Sequence, residues 1–208
     1  MATTRSQSKP SVRDRLLAAA DELFYTEGVQ TVGIDRIIEH AGVAKASLYN
    51  TFGGKEQLVR AYLDSRHTAT TRRIIDSVER QSAPVDRLLA VFDALGEVFG
   101  EPDFHGCAFI TASAESRPGG LIEQAAEEYR AWVRTTFTEL ARDAGAPDPA
   151  ALAWKLQLLY DGAGVSAHMD GDQGAASAAR EAARALLVAS VASNDEASVQ
   201  VAVSAAKA

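Results

Sequence analysis

Residues 41–58 read AGVAKASLYNTFGGKEQL. Small side chains and glycines surround Leu48 and Phe52 in this stretch. Gly42 can adopt the positive φ that a steep turn between two helices requires. Leu48 and Phe52 lie one helical turn apart and predict the inward side of a short helix over 44–52, which the glycine pair after it ends. The stretch therefore predicts a helix-turn-helix.

The outward positions of this short helix carry small and hydrogen-bonding side chains. They are Lys45, Ala46, Ser47, Tyr49 and Asn50. A protruding helix of this kind can enter the major groove of DNA, where Lys45 can reach guanine and Asn50 can pair with adenine. The hydroxyl groups of Ser47, Tyr49 and Thr51 can donate to phosphates. Simple exposure is the alternative interpretation for Lys45 and Asn50, and ring packing is the alternative for Tyr49.

The charge distribution also favours a polyanionic partner for the N-terminal third. Residues 1–73 carry 11 Lys and Arg against 8 Asp and Glu, whereas residues 74–208 carry 10 against 20. Lys55 is predicted at the N-terminus of the helix that follows the glycine pair. Free amide groups and an ammonium both favour an anion there, so Lys55 is predicted to contact a phosphate.

Three segments together resemble the TetR family of transcriptional regulators. They are RDRLLAAADELFYTEG at 13–28, IDRIIEHAGVAKASLYNTF at 34–52 and KEQL at 55–58. The resemblance implies a homodimeric DNA-binding repressor that a small-molecule inducer releases from a pseudo-palindromic operator. It also implies a larger C-terminal domain that binds the inducer and dimerises through its last two helices, at about 149–193.

Three positions depart from the family's usual residues. The family usually has Ser or Thr where Ala44 stands, Thr where Gly33 stands and His where Thr51 stands. Ala44 lacks a side chain that could cap the helix, and Gly33 can still cap its helix but has no side chain that donates to a phosphate. Gly33 and Thr51 stay among the predicted DNA contacts.

The amino-acid composition and the positions of glycine and proline predict an all-α fold for the whole chain. Ala is abundant, β-branched runs are scarce and 47% of residues are hydrophobic. Nine helices are predicted, over 11–28, 34–41, 44–52, 55–78, 84–99, 107–115, 120–143, 149–168 and 173–193. We expect the following division: a disordered arm (1–10), a three-helix DNA-binding domain (11–54), a ligand-binding and dimerisation domain (55–194) and a flexible tail (195–208).

An inducer pocket is predicted among the helices of the second domain. Its candidate wall residues are Phe92, Phe104, Cys107, Phe109, Tyr129, Trp132, Phe137, Trp154 and Tyr160. Each of these side chains, taken alone, is also typical of a core. Two other functions are open: a DNA-binding protein without an inducer, and a helical enzyme that uses Cys107 with His105. Residues two apart on a helix do not face each other, which disfavours the enzyme.

Several classes of protein are disfavoured by what the sequence lacks. A single cysteine excludes an intrachain disulfide and a thiol-based zinc cage, and it favours a reducing cytoplasm. No apolar run is long enough to span a bilayer, and no apolar signal segment is visible. No metal or cofactor is expected, and residues 168–172 are interpreted as an exposed loop rather than a set of ligands.

Overall fold

The structure is a computed structural model that describes the backbone of residues 10–205 and the side chains of residues 10–192. This part of the chain contains nine helices and no strand, so the predicted all-α class is confirmed. The helices are α1 (Val12–Glu27), α2 (Ile34–Ala41), α3 (Lys45–Phe52), α4 (Lys55–Glu79), α5 (Pro84–Phe99), α6 (Ala108–Ala114), α7 (Leu121–Asp143), α8 (Pro149–Asp170) and α9 (Ala175–Ala205). The predicted disordered arm lies outside the described residues except for its last residue.

The last helix is longer than predicted. The predicted end near residue 193 is wrong, because α9 continues to Ala205. The polar run that begins at Ser193 contains no Gly or Pro, and alanines surround it. Helix propensity is therefore high enough for the helix to continue across these polar residues. The flexibility of residues 195–208 stays a prediction, and 206–208 lie outside the described residues. None of the described helices has the length and apolar character needed to cross a membrane.

Local side-chain caps start two of the helices where the sequence predicts them. Ser11 Oγ accepts from the Asp14 amide at 3.1 Å, and Asp14 Oδ2 accepts from the Ser11 amide at 3.2 Å. This reciprocal pair is a capping box at the start of α1. At α8, Asp148 Oδ1 accepts from the Ala151 amide at 3.0 Å, ahead of a proline at the first helical position.

By packing, the chain divides into two compact units. The first comprises the residues up to Arg66 together with Ala108–Ala126, and the second comprises His67–Cys107 together with the residues from Glu127 onward. The segment around α6 belongs to the first unit, where Glu115 Oε2 accepts from the amide of Gln30 at 2.8 Å. The predicted functional division at residue 54 stays a prediction.

The first unit encloses a small core between α1, α2, α3 and the start of α4. The rings of Phe24 and Tyr62 meet edge to face with centroids 5.6 Å apart. Arg66 lies over the face of Tyr25 at 3.7 Å and donates to both carboxylate oxygens of Asp21, at 2.6 and 2.8 Å. These contacts hold α4 against α1 and give the short helices α2 and α3 a fixed base.

The second unit is built around α5. Consecutive residues 88–92 of this helix are buried, so this part of α5 is covered on all sides. Small residues let α9 approach closely: a Cβ added at Gly96 would lie 3.5 Å from the Cβ of Ala176. An ion pair between Arg180 Nε and Asp93 Oδ1 at 2.8 Å joins the same two helices.

Candidate nucleic-acid interface

One face of α3 carries the residues predicted to read DNA. Leu48 is 0% exposed and anchors the opposite side of the helix in the core of the first unit. Lys45, Ala46, Tyr49 and Asn50 are exposed. At positions i, i+1, i+4 and i+5 they form one continuous strip, which we call the α3 strip. The structure therefore brings these four predicted residues together on an open surface.

The residues beside the α3 strip differ in how far they are exposed to solvent. Ser47 is half-buried and Thr51 is exposed. Phe52 is half-buried, and the guanidinium carbon of Arg13 lies 5.5 Å from the centre of its ring. Sequence reasoning missed Arg13, because a cation–π contact between distant helices leaves no periodic signal.

The turn between α2 and α3 is held by backbone geometry and by one side chain from α1. Gly42 has φ 62° and ψ 43°, in the left-handed region, and the amide of Val43 donates to the carbonyl of Ile38 at 3.0 Å. Arg15 Nη1 donates to the carbonyls of Ala41 and Gly42, at 3.3 and 3.0 Å. The arginine thus satisfies carbonyls that end α2 and fixes the turn, a role that the sequence does not indicate.

Neither helix of the motif begins with a side-chain cap. Gly33 is the N-cap of α2 and Ala44 is the N-cap of α3, and neither provides a side-chain acceptor for the free amides. Gly33 and Ala44 are both exposed. Uncapped amides at a helix N-terminus carry partial positive charge and attract anions.

Replacing Ala44 by serine is expected to stabilise the protein by about 1 kcal/mol, because the hydroxyl can accept from a free amide of α3. For a chain of this length, the melting temperature should rise by roughly 2–4 °C. Thermal unfolding followed by circular dichroism measures this shift. The matched control is Ala46→Ser, which makes the same change inside the helix and should slightly lower the melting temperature. Equal shifts in the two variants would contradict the capping role.

Lys55 lies at the first position of α4 and is half-buried. Its Nζ is 3.5 Å from the carbonyl oxygen of Gln30. Burial lowers the pKa of this lysine, and the nearby carboxylate of Glu115 partly opposes that shift by raising it. Lys55 borders a pocket of about 500 Å³ that Arg117 also lines. The lysine therefore lies at a helix N-terminus, as predicted. Its ammonium is near the turn between α1 and α2, and the side chain is only half exposed to solvent.

Basic side chains of α2 and α3 contact carboxylates. The Lys45 ammonium lies 2.8 Å from Oδ1 of Asp35, and this hydrogen bond raises the pKa of the lysine. The other pairs are Arg36 with Glu27 and His40 with Glu22. The interface thus carries acidic as well as basic groups, and Asp35 is a residue that sequence reasoning missed.

In the second unit, several residues predicted for the inducer pocket form one buried cluster. The hydroxyl oxygens of Tyr129 and Tyr160 are 2.7 Å apart and buried. Burial raises the pKa of both phenols, and Cys107 nearby contributes to the shift of each. Phe137 packs on both Tyr160 and Phe92, with ring centroids 6.1 and 5.6 Å apart. These are the contacts of a packed core that includes a pair of hydroxyl groups.

The remaining predicted pocket residues lie apart from this cluster or at its edge. Trp132 is half-buried, with its ring 5.7 Å from that of His67. Phe104 packs on Phe99 at 5.0 Å, and Phe109 belongs to the first unit. Trp154 is half exposed on α8, with the guanidinium of Arg134 4.8 Å from its ring. His67, which the prediction did not include, also contacts Tyr129 at 5.4 Å.

An apolar stripe runs along the exposed side of α8. Trp154, Leu158, Val165 and Met169 recur at spacings of four, seven and four residues, which keeps them on one side of the helix. Leu158 is 55% exposed and Met169 is 76% exposed. Leu152 and Leu156 lie on another side of the same helix and are buried within the chain. The second unit therefore presents an uncovered apolar surface, which we call the α8 stripe.

The structure also describes the histidine that was considered as a catalytic base and the groups that could bind a metal ion. His105 is exposed, and its Nδ1 donates to the carbonyl oxygen of Asp103 at 2.8 Å. Among the side chains that the structure describes, no three of His, Cys, Asp and Glu are grouped so that they could hold a metal ion.

Comparisons with known proteins agree with this architecture. The sequence model of the family described as bacterial regulatory proteins, tetR family, matches residues 16–62, from α1 into α4. The chain is 29% identical to the HTH-type transcriptional regulator LmrA of Bacillus subtilis over 143 residues, which are 67% of this chain and 76% of that protein.

Solved structures extend the similarity to almost the whole chain. A TetR-family transcriptional regulator from Streptomyces coelicolor superposes with a TM-score of 0.82 at 31% identity, covering 86% of this chain and 96% of that one. A TetR-type regulator from Streptomyces avermitilis superposes with a TM-score of 0.74, also at 31% identity, covering 84% and 98%. The sequence model covers the helix-turn-helix, and the superpositions cover most of the chain. The chain therefore belongs to the TetR family of bacterial transcriptional regulators.

Proposed function

We propose that this protein is a ligand-responsive transcriptional repressor that binds a pseudo-palindromic DNA operator as a homodimer and is released by a small-molecule inducer. The observation that carries the proposal is the α3 strip, in which four exposed residues stand on a helix anchored by fully buried Leu48. Two such helices, one from each chain, would enter successive major grooves on one side of the duplex. The single cysteine agrees with a cytoplasmic protein.

Each DNA-facing residue has a distinct proposed role. Lys45 and Asn50 would contact base edges from the α3 strip, and the small side chain of Ala46 would permit close approach to the groove. The hydroxyls of Tyr49 and Thr51 would donate to phosphates. The remaining phosphate contacts are proposed for the edges of the motif, at Ser47, Lys55 and the free backbone amides that follow Gly33.

The α8 stripe supports the dimer. Exposed apolar residues along one side of a helix lose contact with water when a second copy covers them. A groove beside the stripe, between α8 and α9, is lined by small residues such as Gly162 and Ala178, which would let helices approach closely. Two helices from each chain would then form a four-helix interface.

The buried cluster of the second unit supports the inducer. Tyr129 and Tyr160 supply hydroxyl groups in an otherwise apolar, aromatic surrounding, which is the composition typical of small-molecule sites. An inducer would stabilise a dimer whose α3 helices are wrongly spaced for DNA. A coupling of about 1–3 kcal/mol is sufficient for such a switch. The absence of a response to any small molecule would instead favour a DNA-binding protein without an inducer.

Selection of DNA from a random duplex pool tests the proposal most directly. The purified protein should enrich a two-fold symmetric sequence whose half-sites are separated by about one helical turn or a multiple of it. Enrichment of a single unpaired half-site would contradict the dimer. If no sequence is enriched and no duplex is retained even at low salt, the protein is not a DNA-binding regulator.

Replacing Lys55 by alanine should weaken binding to every DNA sequence alike, because a phosphate contact carries no base information. The slope of log K against log salt should flatten by about 0.9 for each lost contact, and hence by about 1.8 for a dimer. Titration of labelled operator at several salt concentrations measures both effects. The control is Asn50→Ala, which should change the preferred bases and keep the slope. An unchanged slope in Lys55→Ala would remove this residue from the phosphate contacts.

Replacing Leu158 by glutamate should convert the dimer to a monomer, because the new carboxylates would be buried against an apolar surface without partners. Sedimentation analysis should give a mass near the 22.1 kDa of one chain for the variant and twice that mass for the wild type. The matched control is Ala131→Glu, which places the same charge on an exposed position of α7 and should leave the dimer intact. A dimeric Leu158→Glu variant would show that the interface lies elsewhere.

A further inference from the structure

The ion pair between Asp35 and Lys45 places a carboxylate beside the α3 strip. Lys45 is the first residue of α3, Asp35 lies in the first turn of α2, and their charged atoms are 2.8 Å apart. Both side chains remain open to solvent, with 82% of the Asp35 side chain and 55% of the Lys45 side chain exposed. Because the two charged groups are in contact, a molecule that meets the ammonium of Lys45 also meets the carboxylate of Asp35.

Asp35 stabilises α2 from its first turn, where a carboxylate complements the free amides, but its ion pair with Lys45 adds little to that stability. Exposed ion pairs contribute little to folding, because water and salt screen them and both side chains lose freedom. A carboxylate that approaches DNA is repelled by the phosphates, so it weakens binding unless it gains a hydrogen bond in the groove. A carboxylate can only accept hydrogen bonds, and the donors on the major-groove edge of base pairs are the amino groups of cytosine and adenine.

The guanine side of a C·G pair complements the lysine. Guanine presents two acceptors, O6 and N7, next to the N4 amino donor of its cytosine, and an ammonium can only donate. Successive bases on a strand are about 3.4 Å apart along the helix axis, whereas the two charged atoms are 2.8 Å apart. The pair therefore fits within one base pair or one base step.

We propose that Asp35 and Lys45 act as one reader of a C·G base pair in each half-site, with Asp35 accepting from cytosine N4 and Lys45 donating to guanine O6 and N7. This inference rests on the proposed DNA-binding function and adds a specificity-determining residue outside α3. In free protein the two side chains satisfy each other. On the correct base pair each also gains a base partner, whereas on other DNA the carboxylate opposes the phosphates without compensation.

Base-preference profiles of matched variants provide the first test. Random-pool selection is carried out with the wild type, Asp35→Ala, Lys45→Met and Asp64→Ala. Alanine is chosen because asparagine would keep an oxygen that can accept from cytosine. Asp64 is the control, because it is likewise an exposed aspartate paired with a cation at 2.8 Å, on α4. We expect wild type and Asp64→Ala to share one profile. Asp35→Ala should lose about tenfold in preference for C·G at one position of each half-site while binding random DNA more tightly. Lys45→Met should lose preference at the same position.

Atom-level changes in the DNA provide the second test. Replacing that cytosine by 2-pyrimidinone removes the N4 amino group, and replacing its guanine by 7-deazaguanine removes N7. The first change should weaken wild-type binding about tenfold and leave Asp35→Ala unaffected, which is the signature of a direct contact in a double-mutant cycle. The second change should weaken wild type and Asp35→Ala alike but spare Lys45→Met.

The outcomes separate this inference from the function on which it rests. If the wild type selects no operator, the DNA-binding proposal itself fails. If it selects an operator but Asp35→Ala keeps the same base profile, the aspartate is only a solvated partner of Lys45 and the inference is overturned. A loss of preference at an A·T pair instead of a C·G pair also overturns it, since the carboxylate would then accept from adenine. Thermal unfolding of Asp35→Ala, expected to remain cooperative, shows that a changed profile is not a folding defect.

Discussion

Replacement of Leu48 by alanine is expected to abolish operator binding. The leucine is completely buried behind the α3 strip, so its truncation removes apolar contacts and leaves a cavity, at a cost of about 2–5 kcal/mol. Because α3 is a short helix held by tertiary packing rather than by its own propensity, loss of this anchor should release it. Operator titration should show no specific binding, and hydrogen exchange should show lost amide protection in α3.

The control for this variant is Ile110→Ala. Ile110 belongs to the same unit and is 41% exposed, so its truncation should lower stability much less and should leave operator affinity unchanged. If Leu48→Ala binds the operator like the wild type and keeps its amide protection, then α3 is held in place by other contacts.

Replacement of Phe137 by alanine should destabilise the second unit by about 3–5 kcal/mol. This ring is completely buried and packs on both Phe92 and Tyr160. Its removal opens a cavity beside the rings of Phe92 and Tyr160. Urea unfolding followed by tryptophan fluorescence measures the loss, since Trp132 and Trp154 both belong to this unit. Phe104→Ala, at a half-buried ring, is the control and should cost less.

The Phe137→Ala variant also tests whether the aromatic cluster can hold a small molecule. An apolar cavity of this kind binds small aromatic molecules, so benzene or indole should raise the melting temperature of the variant. An equal rise in the wild type would show that a preformed aromatic site already exists beside the tyrosine pair. A loss no greater than that of Phe104→Ala would show that this cluster is not the core of the second unit.

The helix-turn-helix could be predicted from the sequence because its signals are local. Gly42 takes the left-handed conformation that the turn requires, and Leu48 is buried as its spacing with Phe52 predicts. Ala44 stands at the N-cap of α3, as the departure from the usual serine or threonine suggested. Each of these features depends on residues within one or two helical turns, which is the range of a sequence pattern.

The contacts that complete the site were not predictable in the same way. Arg15 reaches the α2–α3 turn from 26 and 27 residues away, and Asp35 meets Lys45 only because α2 and α3 cross at one particular angle. Such partners depend on tertiary placement. The Asp35–Lys45 contact and its proposed base reading therefore emerged only from the structure.

The faces of α8 show a different limit of sequence reasoning. Leu152 and Leu156 are buried, whereas Leu158 and Met169 are exposed on another side of the same helix. When apolar residues occur around most of a helix, periodicity cannot indicate which side faces the chain's own core.

The α8 stripe has a consequence for gene dosage. If the chains are mostly monomeric at their concentration in the cell and occupy an operator only in pairs, the occupied fraction at low abundance rises with the square of the number of chains. Halving the expression of this protein would then lower occupancy about fourfold, and the gene under its control would respond to regulator abundance as a threshold rather than in proportion.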